Sequence, residues 1–150
     1  MTDADKFVGA WRLISTEFRA EDGSLGESPY GTESQGLLMY GAKGSMSAQL
    51  GQKHRQPFAI ADRKAGSPEE LRAAFESYQA YCGHYRIDEN EHVVTHTVTL
   101  SLLPNWVGTE QRRHYEFKDE RLILRTPPMT IGGKPMTGEL VWKKVESENE

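Results

Sequence analysis

The chain has 150 residues, with 18 basic and 22 acidic side chains, 37% hydrophobic residues and one cysteine. A chain of this length predicts one domain, residues 1–150, and buries about 69% of its unfolded surface, enough for a core without disulfides or metals. The net charge of −4 argues against nucleic acid as a partner. The sequence has no apolar run of membrane-spanning length and no secretion signal at its first residues, so we expect a soluble cytoplasmic protein without a membrane partner.

Short runs in which apolar and polar side chains alternate predict eight strands. They cover residues of about 10–19, 36–41, 44–50, 82–88, 92–102, 110–117, 121–126 and 138–145. One helix is predicted over about 68–81, because Ser67 can cap it and Pro68 can occupy its first position. Its apolar stripe must lie against another element and consists of Leu71, Ala74, Phe75 and Tyr78. The acidic tail, about 146–150, is expected to be frayed.

The lengths of the connections predict how these strands are arranged. Links of hairpin length alternate with long connections along the chain, as they do in an up-and-down sheet. The short links are 41–43, 89–91 and 118–120, and the long connections are 20–35, 51–81, 103–108 and 127–135. Eight antiparallel strands close into a barrel whose interior holds side chains or one small ligand. We therefore expect an all-β, up-and-down barrel with one closed end and an open end that carries the helix and the long loops.

Several segments resemble a known family. Gly9-Ala10-Trp11 at the first strand resembles the GxW signature of lipocalins and related calycin barrels. Further segments extend the similarity to the small, single-domain lipocalin-like family of bacteria and fungi: 29–31, 36–40, 44–48, 80–85, 104–108 and 140–142. The resemblance implies a calycin-type barrel in which Trp11 packs at the closed end under Lys143 or Lys144. It also implies small-molecule binding, without a fixed reaction.

His96 is the first candidate for chemistry inside the barrel. It lies on the apolar face of its strand, which comprises Val94, His96, Val98, Leu100 and Leu102. That face is expected to be the interior, where a buried imidazole needs a hydrogen-bond partner and can titrate near neutral pH. Two interpretations stay open, a core histidine satisfied by a neighbouring Thr or Tyr, and a ligand-binding or catalytic residue.

Arg113 is the second candidate, because it shares a strand face with Tyr115 and Phe117. A guanidinium in the interior is costly unless it meets a carboxylate of the protein or an anionic group of a ligand. Glu17 is a possible internal partner, but the inward side of the first strand is ambiguous: Trp11 and Leu13 favour one face, and Ile14 and Phe18 the other. A structural ion pair, a ligand contact and a wrongly assigned face remain as alternatives.

Aromatic side chains concentrate toward the predicted open end, where they provide apolar area with a polar group attached. For Tyr78, packing of the helix on the barrel is the competing explanation. The predicted ligand contacts are Tyr40, Met46, Tyr78, Tyr81, Tyr85, His96, Trp106, Arg113 and Tyr115.

Other chemistries lack a motif in this sequence, so no cofactor and no metal site is predicted. We expect a module that binds a small, mainly apolar molecule with a polar or anionic group in a lidded cavity. The alternative is a cyclase, isomerase or hydratase in which His96 is the acid or base and Arg113 stabilises an anion. The sequence leaves the choice between carrier and enzyme, the ligand's identity and the oligomeric state open.

Overall fold

The computed structural model describes residues 1–146, which contain ten strands, two α-helices and one 3-10 helix. They are α1 (Asp3–Phe7), β1 (Gly9–Ala20), β2 (Leu25–Gly26), β3 (Ser34–Tyr40), β4 (Ser45–Gln52), α2 (Pro68–Glu76), β5 (Tyr78–Asp88), β6 (Val93–Ser101), the 3-10 helix (Pro104–Trp106), β7 (Glu110–Lys118), β8 (Arg121–Arg125), β9 (Met129–Ile131) and β10 (Lys134–Lys144). None of these helices is long and apolar enough to cross a membrane. Apart from Glu146, the predicted frayed tail lies outside the described residues.

Eight of the strands form a closed antiparallel barrel in the order β1, β3, β4, β5, β6, β7, β8 and β10. Pairing between β10 and β1 closes the barrel, while the short strands β2 and β9 extend β1 and β10. Successive long strands are therefore neighbours throughout. The predicted up-and-down barrel is confirmed, and its inward side chains converge on one interior.

A β-bulge in β1 explains why the sequence pattern of this strand is ambiguous. The register against β10 shifts between Leu13 and Ser15, which leaves Ile14 as an extra residue on β1. Leu13 and Phe18 are consequently both buried, although strict alternation would place them on opposite faces. Beyond the bulge, Glu17 lies on the outside of the barrel, so it is not available as an internal partner.

A second bulge changes the predicted inward face of β6. The register between β5 and β6 shifts at Gly83, which leaves Thr99 unpaired on β6. The prediction that Leu100 and Leu102 point inward is therefore wrong, and Leu100 is 68% exposed. A side chain at Gly83 would overlap the carbonyl oxygen of Thr97, so the close approach of the two strands here requires glycine.

The first helix, which the sequence pattern did not predict, closes one end of the barrel. Phe7 at the end of α1 is fully buried, and its carbonyl oxygen accepts a 2.8 Å hydrogen bond from Nε1 of Trp11. The Nζ atom of Lys144 lies 4.7 Å from the centre of the Trp11 ring. The basic residue implied by the family resemblance is thus Lys144, whereas Lys143 is exposed.

The second helix is shorter and less buried than predicted. It begins after the capping residue Ser67 and ends at Glu76, five residues before the expected end. Strand β5 begins at Tyr78 and pairs with β4 from that residue. The backbone there forms β-ladder hydrogen bonds instead of helical ones, which explains why the helix ends early. Leu71 and Phe75 are exposed, and no residue of α2 is buried, so the expected packing of its apolar stripe is wrong.

Candidate functional site

A cavity of about 220 Å³ lies inside the barrel. Its wall is mostly apolar and comes from the inward faces of β1, β3, β4, β8 and β10, through Phe18, Leu38, Ala48, Leu50, Leu124, Leu140 and Trp142. Polar side chains enter the wall from β5, β6 and β7. This composition, an apolar chamber with a few placed polar groups, is typical of a binding site for a small organic molecule.

The rim of the cavity consists of loops and a short strand. Pro29 and Tyr30 follow β2, Trp106 ends the 3-10 helix, and Met129–Ile131 forms β9. No residue of α2 lines the cavity, although the sequence places this helix at the open end of the barrel. Trp106 does line the cavity, where its ring packs edge-on against the Tyr81 ring with 5.2 Å between ring centres.

His96 forms the polar centre of the cavity wall. The imidazole is 1% exposed and lies between two phenols. Its Nε2 atom is 2.6 Å from the Tyr40 hydroxyl, and its Nδ1 atom is 2.8 Å from the Tyr81 hydroxyl. His96 is thus satisfied by neighbouring tyrosines, as one of the two interpretations expected, and it also lines the cavity.

The environment of His96 keeps its imidazole neutral. Burial, followed by the positive charge of Arg113, lowers the pKa of His96 to about 3. Burial likewise raises the pKa values of Tyr40 and Tyr81, so both phenols keep their protons. At neutral pH the three side chains therefore form an uncharged hydrogen-bonded chain.

Arg113 supplies the positive charge beside this chain. It is 7% exposed and lines the cavity, and its Nη1 atom donates a 2.9 Å hydrogen bond to the backbone carbonyl of Arg112. Within residues 1–146 no carboxylate forms an ion pair with Arg113, and the expected partner Glu17 instead pairs with Arg19 outside, at 3.3 Å. A guanidinium carries five N–H donors, so residues 1–146 leave most of the hydrogen-bonding capacity of Arg113 unused.

Four of the predicted ligand contacts lie toward the closed end and do not line the cavity. Tyr115 donates a 2.7 Å hydrogen bond to Asp3, and burial, followed by this hydrogen bond, raises its pKa. Tyr85 donates to the carbonyl of Gly41, and its pKa is raised by burial. The other two are Met46, which is buried in the core, and Tyr40, which contacts His96.

Tyr78 lies on the outside of the barrel. The inward positions at this end of β5 are Gln79 and Tyr81, and alternation places Tyr78 on the opposite face. The guanidinium of Arg55 covers its ring at 4.7 Å. Tyr78 therefore does not line the cavity, whereas the predicted contacts Tyr81, His96, Trp106 and Arg113 all do.

The sequence reasoning missed most of the residues that line the cavity, and Tyr30 and Trp142 are two of them. Burial, followed by the effect of Tyr81, raises the pKa of Tyr30 on the rim to about 12, while the positive charge of Arg113 opposes this rise. Trp142 has an indole Nε1 that is buried without a hydrogen-bond partner in the described part of the chain. Alternation along β10 could have found Trp142, but Tyr30 lies in a loop without periodicity. In the same part of the chain no cluster of three His, Cys, Asp or Glu could hold a metal ion.

The barrel, its closed end and its mostly apolar chamber define a lipocalin-type fold that supports small-molecule binding. The family model for the lipocalin-like domain matches residues 8–145, and the chain belongs to this family. A relative from Aspergillus oryzae, the 4'-hydroxy-3'-methoxypropiophenone carrier protein ppsC, is 34% identical over 88 residues. The match covers 54% of this chain and 79% of the relative.

Proposed function

We propose that this protein binds one small, mainly apolar molecule with an oxygen-bearing polar group inside the barrel, next to Arg113 and His96. The observation that carries the proposal is a buried guanidinium that makes one hydrogen bond within residues 1–146 and lines a mostly apolar chamber. Such a group is costly to bury unless an anion or an oxygen dipole meets it. A bound molecule would provide that partner.

The size of the cavity indicates the size of the molecule. At about 220 Å³ it exceeds the roughly 150 Å³ of an engineered apolar cavity that binds benzene. One aromatic ring with short substituents fits this volume, and the rings of Trp106 and Trp142 provide aromatic contacts. The relative's name specifies a substituted propiophenone, which is one ring with a ketone side chain. We therefore propose substituted aryl ketones as the first ligand class to test.

The site gives less support to the alternative of a cyclase, isomerase or hydratase. Efficient general acid–base catalysis needs a pKa near the working pH. The pKa of His96, lowered to about 3, makes the imidazole a weak base, and both of its nitrogens already have tyrosine partners. A stable neutral chain suits recognition of a ligand better than transfer of a proton.

The proposal is tested by calorimetric titration of 4'-hydroxy-3'-methoxypropiophenone into the wild type and into a variant whose cavity is filled by a larger side chain. Ala48 is buried in the cavity wall, so Ala48→Leu adds three carbons to the chamber. Ala73 is exposed on α2, and Ala73→Leu makes the same chemical change outside. We expect the wild type and Ala73→Leu to bind alike and Ala48→Leu to lose at least tenfold in affinity.

Circular dichroism must show that both variants keep the barrel, because overpacking a core costs about 1–3 kcal/mol. Equal affinity in all three proteins would place the ligand outside the cavity and contradict the proposal. Absence of binding in the wild type would contradict the choice of aryl ketones as the ligand class.

A further inference from the structure

We infer that His96 carries its proton on Nδ1, so that the Tyr81 hydroxyl donates its hydrogen to an acceptor oxygen, a carbonyl or a carboxylate, of the bound molecule. This inference rests on the proposed function and specifies the group that the site recognises. It follows from counting donors and acceptors along the Tyr40–His96–Tyr81 chain.

A neutral imidazole has one N–H donor and one acceptor nitrogen. Because the buried His96 faces a phenol at each nitrogen, one tyrosine must donate to the ring and the other must accept from it. Two arrangements are possible. In the first, Tyr40 donates to Nε2 and the Nδ1–H group donates to Tyr81. In the second, the direction of both hydrogen bonds is reversed.

The surroundings of Tyr40 select the first arrangement. Tyr40 is 2% exposed, does not line the cavity, and has His96 as the only hydrogen-bond partner of its hydroxyl within residues 1–146. In the reversed arrangement its hydroxyl hydrogen would be buried without an acceptor, at a cost of about 1–3 kcal/mol. Donation from Tyr40 to Nε2 avoids this cost.

The other end of the chain opens on the cavity. Tyr81 lines it, and once its oxygen accepts from Nδ1–H, its own hydrogen remains to be donated. Tyr81 and Arg113 both line the cavity, and the positive charge of Arg113 opposes the effect of burial on the pKa of Tyr81. Both therefore present donors to the same chamber. An oxygen that only accepts, as in a ketone or a carboxylate, satisfies both, whereas an ammonium group satisfies neither.

The protonation site of His96 can be measured in the ligand-free protein. Long-range ¹H–¹⁵N correlation spectra of histidine-labelled protein at pH 7 show which ring nitrogen carries the proton. We expect His96 to be protonated at Nδ1 and to remain so in Tyr85→Phe, which removes a hydroxyl that His96 does not contact. A proton on Nε2 would overturn the inference whether or not any ligand binds, and would leave the proposed function intact.

Three probes then test the donor role of Tyr81: propiophenone, 3-phenylpropanoate and propylbenzene, which lacks oxygen. In Tyr81→Phe we expect the affinity for the preferred oxygen-bearing probe to fall about fivefold to tenfold, with propylbenzene changed less than twofold. Tyr85→Phe should change none of the three affinities. Tighter wild-type binding of 3-phenylpropanoate would identify a carboxylate as the recognised group, and tighter binding of propiophenone would identify a carbonyl.

An equal loss for propylbenzene and the oxygen-bearing probes would overturn the donor role, because the hydroxyl would then act only through packing. If the wild type bound none of the probes, the proposed ligand class itself would fail, and the ligand part of the inference with it. The spectrum of His96 would still decide the direction of the hydrogen bonds.

Discussion

Replacing His96 with glutamine is expected to make folding less sensitive to acid. Burial and the nearby Arg113 lower the pKa of His96 to about 3 in the folded protein, whereas a histidine in an unfolded chain has a pKa of about 6.5. Glutamine offers one acceptor and two donors to Tyr40 and Tyr81 but cannot titrate. The substitution therefore removes the proton-binding difference while it keeps hydrogen-bonding groups in place.

The size of the effect follows from these two pKa values. Between pH 6.5 and 3 the unfolded chain binds a proton at His96 and the folded chain does not, so falling pH favours unfolding. The free energy of unfolding decreases by about 1.4 kcal/mol for each pH unit in this range. The stability that neutral His96 contributes is present above pH 6.5 and lost as the pH falls toward 3. At pH 4.5 the loss amounts to about 3 kcal/mol.

Urea unfolding of the wild type and His96→Gln at pH 7.5, 6.5, 5.5 and 4.5 measures this loss. The two proteins differ only at residue 96, so the pH dependence contributed by the rest of the chain cancels in the difference between them. We expect that difference to shift by about 3 kcal/mol in favour of His96→Gln between pH 7.5 and 4.5. A difference that does not change with pH would refute the conclusion that His96 is buried and neutral.

Three other substitutions test the cavity, the bulge and the closed end by urea unfolding. Arg113→Met removes a buried charge that makes one hydrogen bond within residues 1–146, so the free energy of unfolding should stay unchanged or rise by about 1 kcal/mol. The same variant should lose at least tenfold in affinity for an oxygen-bearing ligand in calorimetry. Gly83→Ala should destabilise by more than about 3 kcal/mol, because the new methyl group overlaps the carbonyl oxygen of Thr97. Lys144→Gln removes the cation above Trp11 and should cost about 0.5–2 kcal/mol.

Each of these substitutions has a matched control nearby. Arg112→Met and Lys143→Gln change exposed neighbours and should alter stability by less than about 0.5 kcal/mol. Gly41→Ala should be tolerated, because its new methyl group would lie 3.5 Å from the nearest atom, a normal contact. A large loss of stability in Arg113→Met, or similar effects in a substitution and its control, would contradict the corresponding contact.

The sequence was sufficient to predict the barrel but not its irregularities. Alternation and connection lengths identify the eight long strands, since both reflect local geometry. The bulges at Ile14 and Thr99 depend on how two strands pair. Strict alternation does not include such a shift, so it assigns the residues beyond each bulge to the wrong face of the strand. Helix α1 has five residues, too few for a periodic signal. Tyr78 fits the helical pattern of α2, but it belongs to β5 and pairs with β4.

The lining of the cavity was predicted only in part for a related reason. Alternation tells which face of a strand points inward, and this placed His96 and Arg113 in the barrel correctly. It does not tell how far along the barrel axis a side chain lies. Tyr115 follows Arg113 on the same inward face, yet it packs at the closed end against α1. Tyr30 and the strand β9 reach the cavity from long connections, where no periodic pattern exists.

Nuclear Overhauser effects between a bound aryl ketone and leucine methyl groups show directly whether the barrel interior is the binding site. Neighbouring residues provide an internal control, because Leu38 lines the cavity while Leu37 is exposed on the outer face of β3. With 4'-hydroxy-3'-methoxypropiophenone bound, we expect contacts from its ring to the methyl groups of Leu38 and Leu124 and none to those of Leu37 or Leu100. Contacts confined to Leu37 or Leu100 would place the molecule on the surface and contradict binding within the cavity.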